Sequence, residues 1–302
     1  MGVMLHSICV NNNTANLNFH VIIDESVTNG QQEELRKTVG NKGNLSFYLI
    51  DIEHIKQYLV IKVENFPRSV YYRLLMADIL PSTIHKILYL DADIIVRKCL
   101  DELWNWDVSK VAVAGVRNQS DGARFWERLE YPKEYGYFNS GVLLFNLDFM
   151  RKHQLTKKMI DFIIENPKKL LMPDQDVLNY VLKDCKLDLD LKYNVQEGFY
   201  RVPPTIVDCN KKDLMKAVSD PVIVHFTKEK PWTKKCNHPL KDVYYSYKQE
   251  TIWAHNMFME QFHYPKLRRS LLLRMKIVCA KLFSIVFQRE EKIKYMKISL
   301  KK

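Results

Sequence analysis

The chain has 302 residues, 47% of them apolar and 27% charged, with nine Gly and eleven Pro, a composition that excludes disordered, fibrous and collagen-like classes. The net charge is +11, from 46 Lys/Arg against 35 Asp/Glu; residues 265–302 hold twelve Lys/Arg and two acids, hence +10, which leaves +1 for the body. A nucleic-acid-binding domain spreads its cations over a folded face, so this distribution argues against nucleic acid as the main partner.

At this length the buried share of the surface reaches roughly 75%, enough for a core without disulfide staples. The six cysteines, Cys9, Cys99, Cys185, Cys209, Cys236 and Cys279, form no Cys-x-x-Cys pair, so neither zinc binding nor thiol exchange is indicated and a reduced, cytosolic chain fits. The opening MGVMLHSICVNNN has no positive n-region and too short an apolar core for a secretory signal. Nothing reaches the ~20 uninterrupted apolar residues of a membrane span.

In chain order, NFHVII, EELRKTV, LSFYLID, a longer helix and KILYLD alternate strand and helix periods between Asn18 and Val96, which predicts an α/β fold with a mostly parallel sheet. The longer helix is expected to begin at Pro67, suited to a first helical position, and to stop before Pro81, with Val70, Leu74, Leu75 and Ile79 facing the core. VAVAGV (Val111 to Val116) and FNSGVLLFNL read as buried strands, and Asp148–Glu165 and Asp174–Leu182 as helices. A single composition break near Pro265 separates a catalytic body, 1–264, from a tail, 265–302. There Arg274, Lys281 and Gln288 share one stripe while Leu, Ile, Val and Phe cover the other faces, the pattern of a basic amphipathic helix.

The most informative segment is KILYLDADIIV, a run too apolar for a sheet edge that ends in Asp91-Ala92-Asp93. Ligands of open α/β sheets bind beyond the carboxyl ends of strands, where these carboxylates would project. Two hard oxygen donors one residue apart can share Mn²⁺ or Mg²⁺, which also binds a diphosphate. Spacing alone does not discriminate, since Asp174/Asp176 and Asp188/Asp190 repeat it; the latter pair sits in KLDLDL, whose bland explanation is a solvent-facing strand edge. VIVHFTKEKPW offers His225 as a further metal ligand and Lys230 as a point charge for phosphate, against the alternative of a core histidine and a solvated lysine.

From about Leu5 to Trp232 the chain carries, in order, NLNFHVI, SVYYRLLMADILP, KILYLDADIIV, LDELWNWD, YFNSGVLLFNL, PDQDVLN and VHFTKEKPW. This ordered set resembles the family 8 retaining glycosyltransferases of the GT-A fold, which include bacterial lipopolysaccharide galactosyl- and glucosyltransferases and glycogenin. The resemblance implies a Rossmann-like sheet flanked by helices and a Mn²⁺ ion, with Mg²⁺ as an alternative, held by Asp91, Asp93 and His225. It further implies a UDP-glucose or UDP-galactose donor contacted by Arg73, Asp91, Ala92, Asp93, Asn139, Asp174 and Lys230, with Gln175 facing the anomeric carbon. Glutamine is a poor nucleophile, which favours front-face transfer over the double displacement of a carboxylate nucleophile.

The implied acceptor is a saccharide or glycolipid of a surface glycan. The basic tail implies peripheral binding to an anionic membrane on its cytoplasmic face. The sequence departs from the family pattern at its start, where a first strand and base-binding loop of about fifteen residues precede the helix that GVMLHSICVNNN resembles. A start further upstream, or a fragment, is therefore expected over a genuine short form, with a catalytically inactive scaffold protein as the alternative functional reading. The turn Thr227-Lys228-Glu229 and the segment VRNQSDGARFW also differ from the family pattern.

Overall fold

The computed structural model describes residues 1–51, 68–120, 124–206, 209–255 and 295–296. The expected start of a helix at Pro67 and almost all of the basic tail lie outside these residues.

The chain opens with α1 (Gly2–Asn11), followed by β1 (Leu17–Ile23), α2 (Asn29–Val39) and β2 (Gly43–Leu49). Helix α2 starts at a reciprocal capping box: the Thr28 side chain accepts from Gln31 N–H, and the Gln31 side chain accepts from Thr28 N–H. It ends at Gly40, whose φ of 56° is the left-handed conformation that glycine adopts without strain. Strands β1 and β2 pair in parallel. A 3₁₀ helix, Arg68–Leu75, then runs into the short α3 (Met76–Ile79) and stops before Pro81 as expected. Leu74 is fully buried, whereas Val70, Leu75 and Ile79 are half-buried against the core.

Strands β3 (Lys86–Leu90) and β4 (Ile94–Val96) flank the Asp91-Ala92-Asp93 link. Beyond α4 (Asp101–Trp104) come β5 (Val113–Arg117), α5 (Phe125–Arg128) and β6 (Phe138–Asn146). The single helix expected over 148–165 is two, α6 (Leu147–Lys152) and α7 (Leu155–Glu165). Gln154 sits at φ 52° between them, and that left-handed residue ends the first helical run. The rest comprises α8 (Pro173–Leu182), β7 (Lys186–Asp188), β8 (Val195–Gln196), α9 (Lys211–Ser219), β9 (Ile223–His225) and α10 (Lys241–Gln249).

The sheets are mixed. Pairs β1–β2, β5–β7 and β8–β9 are parallel, as the βα alternation predicts; β3–β6, β5–β6 and β4–β9 are antiparallel. Parallel and antiparallel ladders are thus equal in number among the described residues, because β6 runs against both of its neighbours and β9 against β4. Strand β6 is buried on both faces: Val142 and Leu144 join one core cluster with α1, β4, β9 and α9, while Leu143 and Phe145 join another with the 3₁₀ helix and α6–α8. Among the described residues the order β3-β6-β5-β7 places β3 at the end of its sheet, whereas its apolar sequence suggested an interior position. Its five residues are all half-buried rather than exposed.

Candidate active site

Antiparallel pairing builds the site. Since β6 runs against β3, its first residues lie beside the carboxyl end of β3, and Asp91 N–H donates to Gly141 O at 2.9 Å. Since β9 runs against β4 with Ile94 opposite His225, the histidine lies beside the start of β4, and Phe226 N–H donates to Asp93 O at 3.1 Å. The two ladders converge Asp91, Asp93 and His225 until one potential ligand atom from each lies within 4.8 Å of the others. His225 Nε2 is 3.3 Å from Asp93 Oδ1 and 3.7 Å from Asp91 Oδ2. The imidazole is 3% exposed while the carboxylates are 23% and 14% exposed, so histidine forms the floor and the carboxylates the mouth.

The donor set fits a divalent cation. His225 Nδ1 lies 2.9 Å from Asn194 Oδ1, an acceptor that fixes the proton on Nδ1 and leaves the Nε2 lone pair directed at the carboxylates. Each aspartate turns its other oxygen to a protein cation: Arg73 Nη2 is 3.0 Å from Asp91 Oδ1, and Lys230 Nζ donates to Asp93 Oδ2. Three inward atoms, two hard oxygens and one imidazole nitrogen, suit Mn²⁺ or Mg²⁺. Burial alone would raise the Asp93 carboxyl, but contacts with His225 and Lys230 hold it well below the usual range.

Arg73 joins this centre to α8. Its Nη1 donates to Ser140 O at 2.9 Å and lies 3.2 Å from Asp174 Oδ2, and its guanidinium stacks 4.6 Å above the Tyr89 ring. Burial opposes the charge, yet Tyr89, Asp174 and Asp91 around it raise its affinity for the proton above the ordinary value. Asp174, divided from solvent and sharing Arg73 with Asp91, is held above the ordinary carboxylate range by burial.

Asn139 and Gln175 belong to one amide network. Asn139 Nδ2 donates to Gln175 Oε1 at 3.1 Å, Ser140 N–H donates to the same oxygen at 3.0 Å, and Asn194 Nδ2 donates to Asn139 Oδ1 at 2.9 Å. Gln175 Nε2 is buried and lies near Tyr137, whose hydroxyl it influences. All nine residues expected from sequence, Arg73, Asp91, Ala92, Asp93, Asn139, Asp174, Gln175, His225 and Lys230, therefore fall in one region.

Sequence reasoning missed the residues that orient them. Asn194 sits in an irregular turn between Tyr193 and β8, with no period to mark it. Asn179, one helical turn beyond Gln175, clamps α8 to β6 by accepting from Phe138 N–H at 2.8 Å and donating to Phe138 O at 2.9 Å. Asp176 points away from the pocket into five donors. Asp188, at the sheet edge formed by β7, is exposed and pairs with Lys186 at 2.8 Å, in keeping with the bland explanation of KLDLDL.

A mixed α/β fold carries at its strand ends a carboxylate-carboxylate-histidine centre, flanked by Arg73 and Lys230, that could hold a metal ion. Comparison with known proteins narrows the class. The profile described as "Glycosyl transferase family 8" matches residues 1–236, and the chain belongs to that family and is a glycosyltransferase. Its relatives include lipopolysaccharide glucosyltransferase WaaO of Escherichia coli (strain K12), 27% identical over 281 residues and covering 89% of this chain and 79% of that protein. Lipopolysaccharide 1,3-galactosyltransferase of Salmonella typhimurium is 28% identical over 84% of this chain and 75% of its own length. Among solved structures, galactosyltransferase LgtC in complex with donor and acceptor sugar analogs superposes with a TM-score of 0.73 at 19% identity, covering 83% of this chain and 91% of that one.

Proposed function

We propose that this enzyme is a Mn²⁺-dependent, retaining hexosyltransferase that moves glucose or galactose from a UDP-sugar to a saccharide acceptor of a surface glycan such as lipopolysaccharide. The observation that carries this reading is the convergence of Asp91, Asp93 and His225 beside Arg73 and Lys230. The names of the relatives, lipopolysaccharide gluco- and galactosyltransferases, support the hexose and the acceptor class.

When bound by these three residues, a divalent cation supplies positive charge to the diphosphate leaving group. Lys230 holds a second positive charge at the same mouth, and Arg73 a third at the floor. Gln175 Nε2 and Asn139 offer amide groups for sugar hydroxyls. Gln175 carries no charge, Asp176 has both oxygens saturated, and Asp174 is buried against Arg73. With no unencumbered carboxylate near Gln175 among the described residues, the acceptor hydroxyl attacks on the face from which the diphosphate leaves, and its proton passes to the departing phosphate oxygen. Trapping a covalent glycosyl adduct on Asp174 or Asp176 would refute this route.

The body, 1–264, carries the chemistry in this reading and the tail, 265–302, with its charge of +10, places it on an anionic membrane surface. No helix of the described residues is long and apolar enough to cross a membrane. The chain returns to the body at its far end, where Met296 N–H donates to Tyr200 O at 2.9 Å and Tyr295 Oη to Glu197 Oε1 at 2.7 Å.

The test is UDP release from UDP-glucose and UDP-galactose with Mn²⁺, then with EDTA, in the presence of lipopolysaccharide-core acceptors. Metal-dependent release is expected with one of the two donors. Release that EDTA leaves unchanged would defeat the metal assignment, and no release from either would defeat the donor assignment.

A further inference from the structure

Separate chain segments meet at one side-chain carbonyl. Gln119 lies just beyond β5, and its Oε1 accepts from Gly198 N–H at 2.7 Å and from the Thr227 hydroxyl at 3.1 Å. A backbone N–H can only donate, so the atom facing Gly198 is the oxygen, which settles the orientation of the amide. The same reasoning orients the hydroxyl: Thr227 Oγ1 accepts from Glu197 N–H at 3.3 Å and gives its proton to Gln119. The fit is close, since a Cβ at Gly198 would lie 2.8 Å from Gln119 Oε1 and 2.1 Å from Thr205 Oγ1.

The main chain around Gln119 is anchored without this carbonyl. Gln119 N–H donates to Gln196 Oε1, Gln196 Nε2 donates to Arg117 O, and Asn118 N–H donates to Tyr137 O, each at 2.8 Å. What the carbonyl holds is the exit from β9. Backbone pairing of β8 with β9 ends at Gln196 opposite His225. One step further, the Thr227 side chain replaces a backbone acceptor for Glu197. Thr227 N–H bonds back to His225 O at 3.0 Å, so the turn begins directly after the histidine. Lys228 and Glu229 are exposed, and the turn closes where Lys230 Nζ donates to Phe226 O at 2.9 Å and to Asp93 Oδ2. Thr227 is thus the anchor between His225 and Lys230.

We propose that Gln119 is a positioning residue for donor binding: through the Thr227 hydroxyl it fixes the turn that presents Lys230, and so sets affinity for a nucleoside diphosphate. The inference rests on the reading of Lys230 as a diphosphate contact. Gln119 acts without touching the donor. A loosened turn spreads Lys230 over positions away from the mouth, which weakens ground-state and transition-state binding alike and raises KM rather than lowering kcat. Loss of one neutral hydrogen bond corresponds to about two- to tenfold in affinity.

The test uses the full-length protein, with UDP and Mn²⁺ as probe in titration calorimetry and amide hydrogen exchange without ligand. Gln119→Leu and Thr227→Val remove the bond from either side, Thr227→Ser keeps the hydroxyl, and Lys230→Ala calibrates the lysine. UDP binding is expected to weaken about two- to tenfold in Gln119→Leu and in Thr227→Val, and no further in the double variant, because both remove the same interaction. Thr227→Ser should recover most of the loss. Exchange at Glu197 and Thr227 should accelerate in Gln119→Leu while Asn118 stays protected. Parental UDP binding in Gln119→Leu beside weakened binding in Lys230→Ala overturns the inference and leaves the donor reading intact. Losses that multiply in the double variant, or exchange that accelerates at Asn118 as well, also overturn it, the latter by making Gln119 a support of the fold. If Lys230→Ala binds UDP like the parent, or the parent binds none, the reading of Lys230 fails and the inference with it.

Discussion

Asn194 Oδ1 stands 2.9 Å from His225 Nδ1 and, through its amide nitrogen, 2.9 Å from Asn139 Oδ1, so one buried side chain sets both the histidine tautomer and the sugar-side amide network. Asn194 is fully buried, and its orientation follows from these two partners. Removing a partner of this kind lowers metal affinity by about 10–100-fold in comparable sites. Asn194→Ala is expected to weaken Mn²⁺ binding by that factor, read by titration calorimetry or Mn²⁺ EPR, whereas Asn194→Asp, which keeps the acceptor, restores most of it. Equal binding in all three forms would remove Asn194 from the site.

Gly141 is the position where backbone approaches the ligands most closely. A Cβ built there would lie 2.1 Å from His225 Cε1 and 2.7 Å from Asp91 Oδ2, both less than real contacts allow. Gly141→Ala must therefore displace the imidazole or the carboxylate, and a displacement near 1 Å costs about 10²-fold in rate. The expected outcome is a loss of kcat/KM of that order together with weakened Mn²⁺ binding. A variant that binds Mn²⁺ and turns over like the parent would mean that β6 yields at Gly141 and that the site tolerates the shift.

The strand ends were legible because Asp91 and Asp93 interrupt an apolar run and His225 ends another. What placed them together was not: the register that sets Ile94 opposite His225 is a long-range pairing with no local signature. Asn194 and Asn179 escaped for a related reason, since an amide in a turn and an amide one turn into a helix carry no period of their own. The break at Gln154 was hidden because its neighbours keep a helical apolar pattern while one residue takes φ 52°. The interior reading of KILYL had a physical basis, two apolar faces, and the half-burial of β3 beside a cavity shows that the reading measured burial rather than pairing.

Asp176 is anchored rather than reactive. It accepts from Arg128 Nη1 and Nη2, each at 2.8 Å, from Tyr137 Oη at 2.6 Å, and from the N–H groups of Leu171 and Met172, each at 2.8 Å. These bonds pin the first turn of α8, which carries Asp174 and Gln175. In Asp176→Asn either orientation of the amide sets an N–H against N–H donors and leaves Arg128 without its counter-ion, and breaking a buried pair costs about 3–5 kcal/mol. The chemical denaturation midpoint should fall accordingly. Intact stability with lost turnover would instead assign Asp176 to the chemistry.

His238 gives the fold an acid-sensitive element. It is buried between Tyr200 and Phe226 and accepts from Leu240 N–H through Nδ1 at 3.1 Å. Burial, with a smaller contribution from His225, lowers its pKa from 6.5 to about 3. Between these values the unfolded chain binds a proton that the folded one does not, so this residue's contribution is fully present above pH 6.5 and is lost as pH falls. At pH 5 the loss amounts to about 2 kcal/mol. His238→Asn keeps an acceptor for Leu240 N–H and removes the titration, so the fall in denaturation free energy between pH 7 and pH 5 should shrink by that amount in the variant. An unchanged pH slope would place the acid sensitivity outside His238.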